Sequence, residues 1–238
     1  MSNSLTYKHI KEPTIEILRY IDDRRKGISK SLKTKWEKFN RHTLGGLEPN
    51  TLMTVVGISG AGKSSFVNSL ETDLFDLNPD VKFMVLSFTF EMMSSRQIGR
   101  KLSYKMKKTT NEIYSGVSDR SKLSNPDYET VVSHSEQLMQ YPIYYVDSPG
   151  TVAQIGETIK LFQDKAKQND SRLVVILDHT LLTKNQSGES ERETLYSLQR
   201  LFIEAKKIGM TTIIQLSQMN RDIESSERIN NPALHYPM

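Results

Sequence analysis

Apolar residues along this chain cluster in two ways. Short unbroken runs, such as Leu52-Met53-Thr54-Val55-Val56 and Leu173-Val174-Val175-Ile176-Leu177, alternate with longer stretches in which apolar positions recur every three or four residues. A run of about four to eight apolar residues suits a strand buried on both faces, whereas the longer period marks one face of a helix. Strands are therefore predicted at 52–57, 82–89, 143–148, 173–178 and 211–217, and helices at about 63–76, 94–107, 127–140, 152–168 and 190–208. The last helix carries Leu195, Leu198, Leu201, Phe202, Ala205 and Ile208 on one side and ends at Gly209. Strands alternating with helices predict an α/β fold, a mostly parallel sheet covered on both faces.

A separate helix is predicted ahead of this domain, over residues 13–26. Ile15, Leu18 and Ile21, with Ile17 and Tyr20, make its apolar face, Pro13 suits its first turn, and Gly27 can stop it. That face needs a partner, either the chain's own core or another subunit. Residues 28–50 read as basic and irregular, closing on the turn cluster Gly45-Gly46-Leu47-Glu48-Pro49-Asn50.

Between the first strand and its helix lies Gly57-Ile58-Ser59-Gly60-Ala61-Gly62-Lys63-Ser64, which fits the pattern G-x-x-x-x-G-K-[ST] in the strand–loop–helix context that gives the pattern meaning. Glycines let the backbone curl so that several N–H groups point into one concavity and bind phosphate oxygens. The helix start, from Lys63 through Ser65, adds free N–H groups and partial positive charge. Lys63 is placed to reach the β- and γ-phosphates of a nucleotide and Ser64 to bind Mg²⁺.

In a sheet of this kind ligands bind beyond the carboxyl ends of the strands. The second predicted strand runs into Glu91, a candidate to orient or deprotonate the attacking water. The fourth ends in Asp178, the apolar-run-then-Asp pattern of a Mg²⁺ aspartate. The fifth ends in Gln218, a candidate sensor of the γ-phosphate. Asp147 competes for the Asp178 role, because Asp147-Ser148-Pro149-Gly150 matches the D-x-P-G switch of GTPases and Thr183-Lys184-Asn185-Gln186 approaches their [NT]-K-x-D guanine motif. Gln186, however, replaces the Asp that accepts two hydrogen bonds from guanine, and an amide has only one acceptor oxygen. ATP is therefore the expected ligand, and Asp147 to Gly150 is expected to be a strand-to-helix turn.

Composition narrows the class. The 238 residues are 37% hydrophobic and 25% charged, as in an ordinary globular domain. There is no cysteine, no stretch of eighteen apolar residues and no apolar segment at the N-terminus, so neither a membrane span nor a signal peptide is expected, and a reducing cytoplasmic setting fits. The net charge of +4 is uneven: residues 1–50 hold eleven Lys/Arg against six Asp/Glu. A second basic run, Arg96, Arg100, Lys101, Lys105, Lys107 and Lys108, contains no acid. Such runs suit nucleic acid, and equally a solvated helix face.

Five stretches together resemble the RecA-like ATPase domain of DnaB-type replicative helicases, in a phage version. They are the 13–26 helix with Gly45-Gly46-Leu47-Glu48-Pro49, the phosphate loop, Phe88-Thr89-Phe90-Glu91-Met92, Val146-Asp147-Ser148-Pro149-Gly150, and Ser217-Gln218-Met219-Asn220-Arg221. The resemblance runs from about residue 13 to the end. It implies a P-loop NTPase fold, with a basic segment 1–44 carrying the linker helix and a RecA-like domain over 45–238. It implies ATP and Mg²⁺ as ligands, Glu91, Lys63 and Gln218 in catalysis, and Ser64 and Asp178 at the metal. Single-stranded DNA would meet loops bearing Lys184, Arg192 and Arg221. It further implies a homo-hexamer joined through helix 13–26, a primase or helicase loader as partner, and the cytoplasm of an infected bacterium. A recombinase-like ATPase on the same fold, or a ring subunit that binds nucleotide without turnover, is also open to the same sequence.

Two departures from the family pattern add expectations. The family's N-terminal primase-interacting domain is absent, and the chain stops at Pro237-Met238, before the strands expected to complete the sheet and carry an arginine finger. The fifth strand would then be an unprotected edge, and ATP hydrolysis by the chain alone would be slow and little stimulated by DNA. His179 stands where a different residue is expected after the aspartate.

Overall fold

A computed structural model describes residues 7–114, 116 and 123–219. Among these, five strands, β1 (Leu52–Gly57), β2 (Phe83–Thr89), β3 (Ile143–Val146), β4 (Arg172–Asp178) and β5 (Thr211–Gln218), form one all-parallel sheet in the order β1-β5-β4-β2-β3. Helices α3 (Lys63–Leu77), α4 (Ser94–Met106), α6 (Asn125–Met139), α7 (Val152–Gln168) and α8 (Glu191–Ala205) connect them, each close to its predicted span.

The double-sided burial read from the apolar runs is realised in β4. Leu173, Val175 and Leu177 pack with Ile155, Ile159 and Phe162 of α7 and Leu198 and Phe202 of α8. The intervening Val174 and Ile176 pack on the opposite face with Val67, Leu70 and Leu74 of α3. Alternate side chains of a strand point to opposite faces, so an unbroken apolar run feeds two cores at once. Helix starts are set by local chemistry: Thr151 with Gln154 and Ser190 with Glu193 form capping boxes at α7 and α8, and Ser124 caps α6.

The structure corrects the sequence reading in three places. β5 is not an edge strand: it lies between β1 and β4, with Thr211 through Leu216 all buried. The exposed edges among the described residues are β1 and β3, and β1 shows it by an alternating burial pattern and a half-exposed Val56. Second, residues 28–50 are not wholly irregular. A short helix α2 (Glu37–His42) sits there, and Leu32 pairs with Leu47 in an antiparallel bridge. Gly46 is required at that bridge, because its φ is +140° and a Cβ would lie 2.1 Å from the Leu32 carbonyl oxygen. Third, a further short helix α5 (Thr110–Tyr114) follows α4.

Three of the six cations in the basic run 96–108 are paired with acids of this chain. Lys101 is fully buried and paired with Glu71 of α3, which also accepts from Ser87 Oγ on β2 at 2.7 Å. Lys105 pairs with Asp76 at 2.8 Å and Lys108 with Asp127 at 3.1 Å. The Lys101–Glu71 pair joins α3, which begins at the phosphate loop, to α4, which begins just after Glu91. Burial, with the Glu71 charge adding to it, pushes the nearby Tyr145 hydroxyl well above the usual tyrosine range. Removing one member of a buried pair strands the other charge, so Lys101→Met is expected to lower the unfolding free energy by about 3–5 kcal/mol, measured by urea titration, and Glu71→Leu added to it to recover a large part.

Helix α1 (Lys11–Arg25) confirms the predicted helix with boundaries shifted by one or two residues, and none of its residues is buried. Ile15, Ile17, Leu18 and Ile21 are 42–59% exposed, so the core formed by the described residues does not cover the apolar face. Its C-terminal half is tied to the domain by Tyr20 and Arg24, both hydrogen-bonded to Glu48. No helix among the described residues is long and apolar enough to cross a membrane.

Candidate active site

Strand register assembles the site. Gly57 at the end of β1 lies opposite Gln218 at the end of β5, and Thr89 at the end of β2 lies opposite Asp178 at the end of β4. Leu177 of β4 lies opposite Gln215 of β5, so the β1–β5 pair runs two residues further than the β2–β4 pair at the same end of the sheet, and Glu91 follows Thr89 by two residues. Between β1 and α3 the loop is shaped by Gly60 and Gly62, with φ of +82° and +85°, where a side chain would be strained. The Ala61 N–H donates to the Ile58 carbonyl at 3.2 Å and closes the turn. No side chain caps the start of α3, which leaves its first-turn N–H groups available to an anion.

These elements enclose a polar cavity of about 260 Å³. Ser59, Gly60, Gly62, Lys63, Ser64, Ser65, Glu91 and Gln218, all predicted as site residues, line it. Gly57, Ile58 and Ala61 shape the loop behind it. The Lys63 ammonium donates to the Gly57 carbonyl at 2.9 Å and the Ile58 carbonyl at 2.8 Å, so it is held across the mouth of the loop. Asp178 is 5% exposed beneath Ser64. Burial raises its pKa above the ordinary value of 3.8; the Ser64 hydroxyl opposes this, the Glu91 charge adds to it, and His179 and Lys63 oppose it. A buried carboxylate with such a cost to ionise is a place for a cation.

The donor set fits Mg²⁺. One carboxylate and one hydroxyl leave positions for water and phosphate oxygens, the usual arrangement for an ion that keeps much of its hydration. Among the described residues no three His, Cys, Asp or Glu side chains converge, so an all-protein cage is not what the site offers.

Two lining residues carry no role in the sequence reading. Arg100, on α4, reads there only as part of a basic run. His179, 8% exposed with Nδ1 lacking a hydrogen-bond partner, reads there only as unusual. The signal for Arg100 is its place nine residues after Glu91 on a helix packed beside α3; nothing in the sequence alone marks His179 as lining the cavity. Beside the small cavity, and sharing Ser65 and Arg100 with it, a groove of about 860 Å³ runs between α3 and α4, past Asn68 and Tyr104.

Asp147 does not reach the cavity; its carboxylate is bonded to Thr89 and Ser94. The Thr183–Gln186 segment lies against the turn before α7, where the Lys184 N–H donates to the Gly150 carbonyl at 2.9 Å. It lines neither cavity, which removes the geometry a guanine motif would need. Lys184 and Arg192 are exposed, away from the phosphate loop in the segment that follows β4. Arg192 lies over the Tyr196 ring, 5.4 Å from its centroid, and donates to its hydroxyl at 3.1 Å. Arg221 lies outside the described residues.

Comparison with known proteins bears on the fold and the family. A "Probable replicative DNA helicase" of Guillardia theta is 25% identical over 185 residues, covering 77% of this chain. The chain spans only 29% of that relative's length. Among solved structures, one described as an ATPase domain superposes with a TM-score of 0.74 at 18% identity, over 95% of this chain and 76% of that one. A DnaB-like replicative helicase, solved to show its interactions with primase, gives 0.73 at 17%, over 94% of this chain and 51% of that one. These structural likenesses establish the fold, RecA-like. The model of the DnaB-like helicase C-terminal domain matches residues 31–235, and the chain belongs to that family.

Proposed function

We propose that the chain is the ATP-hydrolysing domain of a replicative DNA helicase, a RecA-like unit over residues 45–238 preceded by a linker segment, working on single-stranded DNA. The observation that carries this is the convergence of Lys63 and Ser64 from the start of α3, Glu91 from the β2–α4 loop and Gln218 from the end of β5 on one cavity, with Asp178 of β4 beneath it. The loop N–H groups and Lys63 bind the β- and γ-phosphates. Ser64 and Asp178 would hold Mg²⁺, which when bound would supply positive charge against the phosphates. Glu91 orients and deprotonates the attacking water, and Gln218 reports on the γ-phosphate by a hydrogen bond. The α3–α4 groove gives the nucleoside room beside the phosphates.

Single-stranded DNA is met by the exposed segment after β4. Lys184 supplies a phosphate contact, and Arg192 stacked on Tyr196 supplies a cation beside a ring on which a base can stack. Affinity for a homopolymeric oligonucleotide is expected to fall steeply with salt, and Lys184→Glu with Arg192→Glu to reduce the log–log slope by about 1.4, from about 0.7 per lost phosphate contact. Binding that is insensitive to salt would remove DNA from this reading.

The uncovered apolar face of α1 docks on a neighbouring copy, giving a ring of six subunits. A primase, the partner class named for one structural relative, is part of the same reading. Leu18→Asp with Ile21→Asp is expected to convert the assembly to monomers in light scattering, with the α/β domain still folded by circular dichroism.

DNA-dependent ATP hydrolysis by the purified assembly tests the function directly. Hydrolysis that requires Mg²⁺ and Glu91, even at the slow rate and with the weak DNA stimulation expected of the chain alone, supports it; an assembly that binds nucleotide but never turns over would make the chain a passive ring subunit.

A further inference from the structure

Asp147 follows β3 and stands outside the phosphate cavity, yet it grips the segment that carries Glu91. Its Oδ1 accepts from Thr89 Oγ1 at 2.9 Å and from the Ser94 backbone N–H at 3.1 Å, and its Oδ2 accepts from Ser94 Oγ at 2.8 Å. Thr89 is the last residue of β2 and Ser94 the first of α4. Phe90 to Met93 span the gap between them, and Glu91 is the second of these four. A single carboxylate from a neighbouring strand thus ties both ends of the loop.

The rest of the loop is held in the same direction. The Phe90 N–H donates to the Asp178 carbonyl at 3.1 Å, and the Phe90 ring is buried edge-on against Phe88. Met93 at the N-cap of α4 provides no side-chain bond, so the charge that complements the start of this helix comes from Asp147. Bonds from N–H and O–H donors to an ionised carboxylate are among the stronger ones in a protein. Both Asp147 oxygens are occupied by these donors, while Glu91 itself is exposed toward the cavity.

We propose that Asp147 is a positioning residue for Glu91: it clamps Thr89 to Ser94 and so sets the distance of the Glu91 carboxylate from the terminal phosphate. The proposal rests on the reading of Glu91 as the residue that handles the attacking water. A group in that role must be held to a fraction of an ångström, and a misplacement of about 1 Å can cost ~10²-fold in rate. Binding of the phosphates by the loop is not affected by the clamp, so the effect belongs to turnover and not to affinity.

The test compares the wild-type chain with Asp147→Ala, Asp147→Asn and the double variant Thr89→Val with Ser94→Ala, using Glu91→Gln as the floor. The readouts are kcat and KM for Mg-ATP, and amide exchange over residues 90–94. Asp147→Ala is expected to lose about 10²-fold in kcat with KM unchanged, and to speed exchange over 90–94. Asp147→Asn keeps an oxygen that accepts from Thr89 and from the Ser94 N–H, so it recovers to within about fivefold of wild type. The double variant leaves the carboxylate in place, removes two of its three donors, and is expected to lower kcat in the same sense. Wild-type kcat in Asp147→Ala, or a change confined to KM, would overturn the proposal. So would an Asn variant as damaged as the Ala variant beside a silent double variant, since Asp147 would then act through its charge. If Asp147→Ala does not fold, the double variant decides between the same outcomes. If wild type shows no turnover, it is the reading of the chain as an ATP-hydrolysing domain that fails, and exchange over 90–94 in Asp147→Asn and the double variant still judges the clamp.

Discussion

Glu91→Gln is expected to bind Mg-ATP as wild type does and to hydrolyse it about 10²–10⁴-fold more slowly, the range a positioned general base contributes. The substitution keeps shape and hydrogen-bonding reach and removes only the capacity to take a proton. Glu91 lines the cavity from the β2–α4 loop, whereas Ser64 and Asp178, proposed above to hold the metal, come from α3 and β4. Binding and chemistry are therefore assigned to different elements, and one can be removed without the other. Single-turnover hydrolysis beside a titration with a fluorescent ATP analogue separates them. A parallel loss of affinity would mean that Glu91 belongs to the metal site and not to the base.

Lys63→Ala is expected to weaken Mg-ATP binding by at least about 10²-fold, since each hydrogen bond from a charged donor contributes ~1.5–3 kcal/mol and the proposed role of Lys63 is to contact two phosphates. The ammonium has a second task without ligand, bridging the Gly57 and Ile58 carbonyls at 2.9 and 2.8 Å. Those carbonyls keep the charge close to the place where the phosphates arrive. The half-buried ammonium is thereby oriented before binding, and less freedom is lost when the ligand enters. Calorimetric titration reads the loss, and a thermal melt of the ligand-free variant shows whether the fold is retained.

Much of the architecture is legible in residue patterns because the sheet is buried on both faces. Runs such as Leu173 through Leu177 have no alternative partner, and the phosphate loop lies where strand and helix meet. What stays hidden depends on pairings between residues far apart in sequence. The spatial place of β5 follows from how crossovers lay strands side by side, not from its order in the chain, which alone suggests an edge. Lys101, Lys105 and Lys108 look like a nucleic-acid surface in sequence because their acids, Glu71, Asp76 and Asp127, lie on helices α3 and α6. α2 leaves no pattern because Phe39 is the one apolar residue in Glu37–His42, too few for a helical period. Of the site, Lys63, Ser64, Glu91, Asp178 and Gln218 are each legible as strand-end or loop residues. That Arg100 and His179 join them, and that Asp147 turns away to Thr89 and Ser94, requires the three-dimensional register.

Equilibrium titration of the purified chain with ATP and with GTP, each with and without Mg²⁺, tests most directly whether the cavity at the strand ends is a Mg-ATP site. The expected result is saturable binding of one ATP per chain, dependent on Mg²⁺ and tighter than that of GTP. Tighter binding of GTP, or ATP binding indifferent to Mg²⁺, would contradict it.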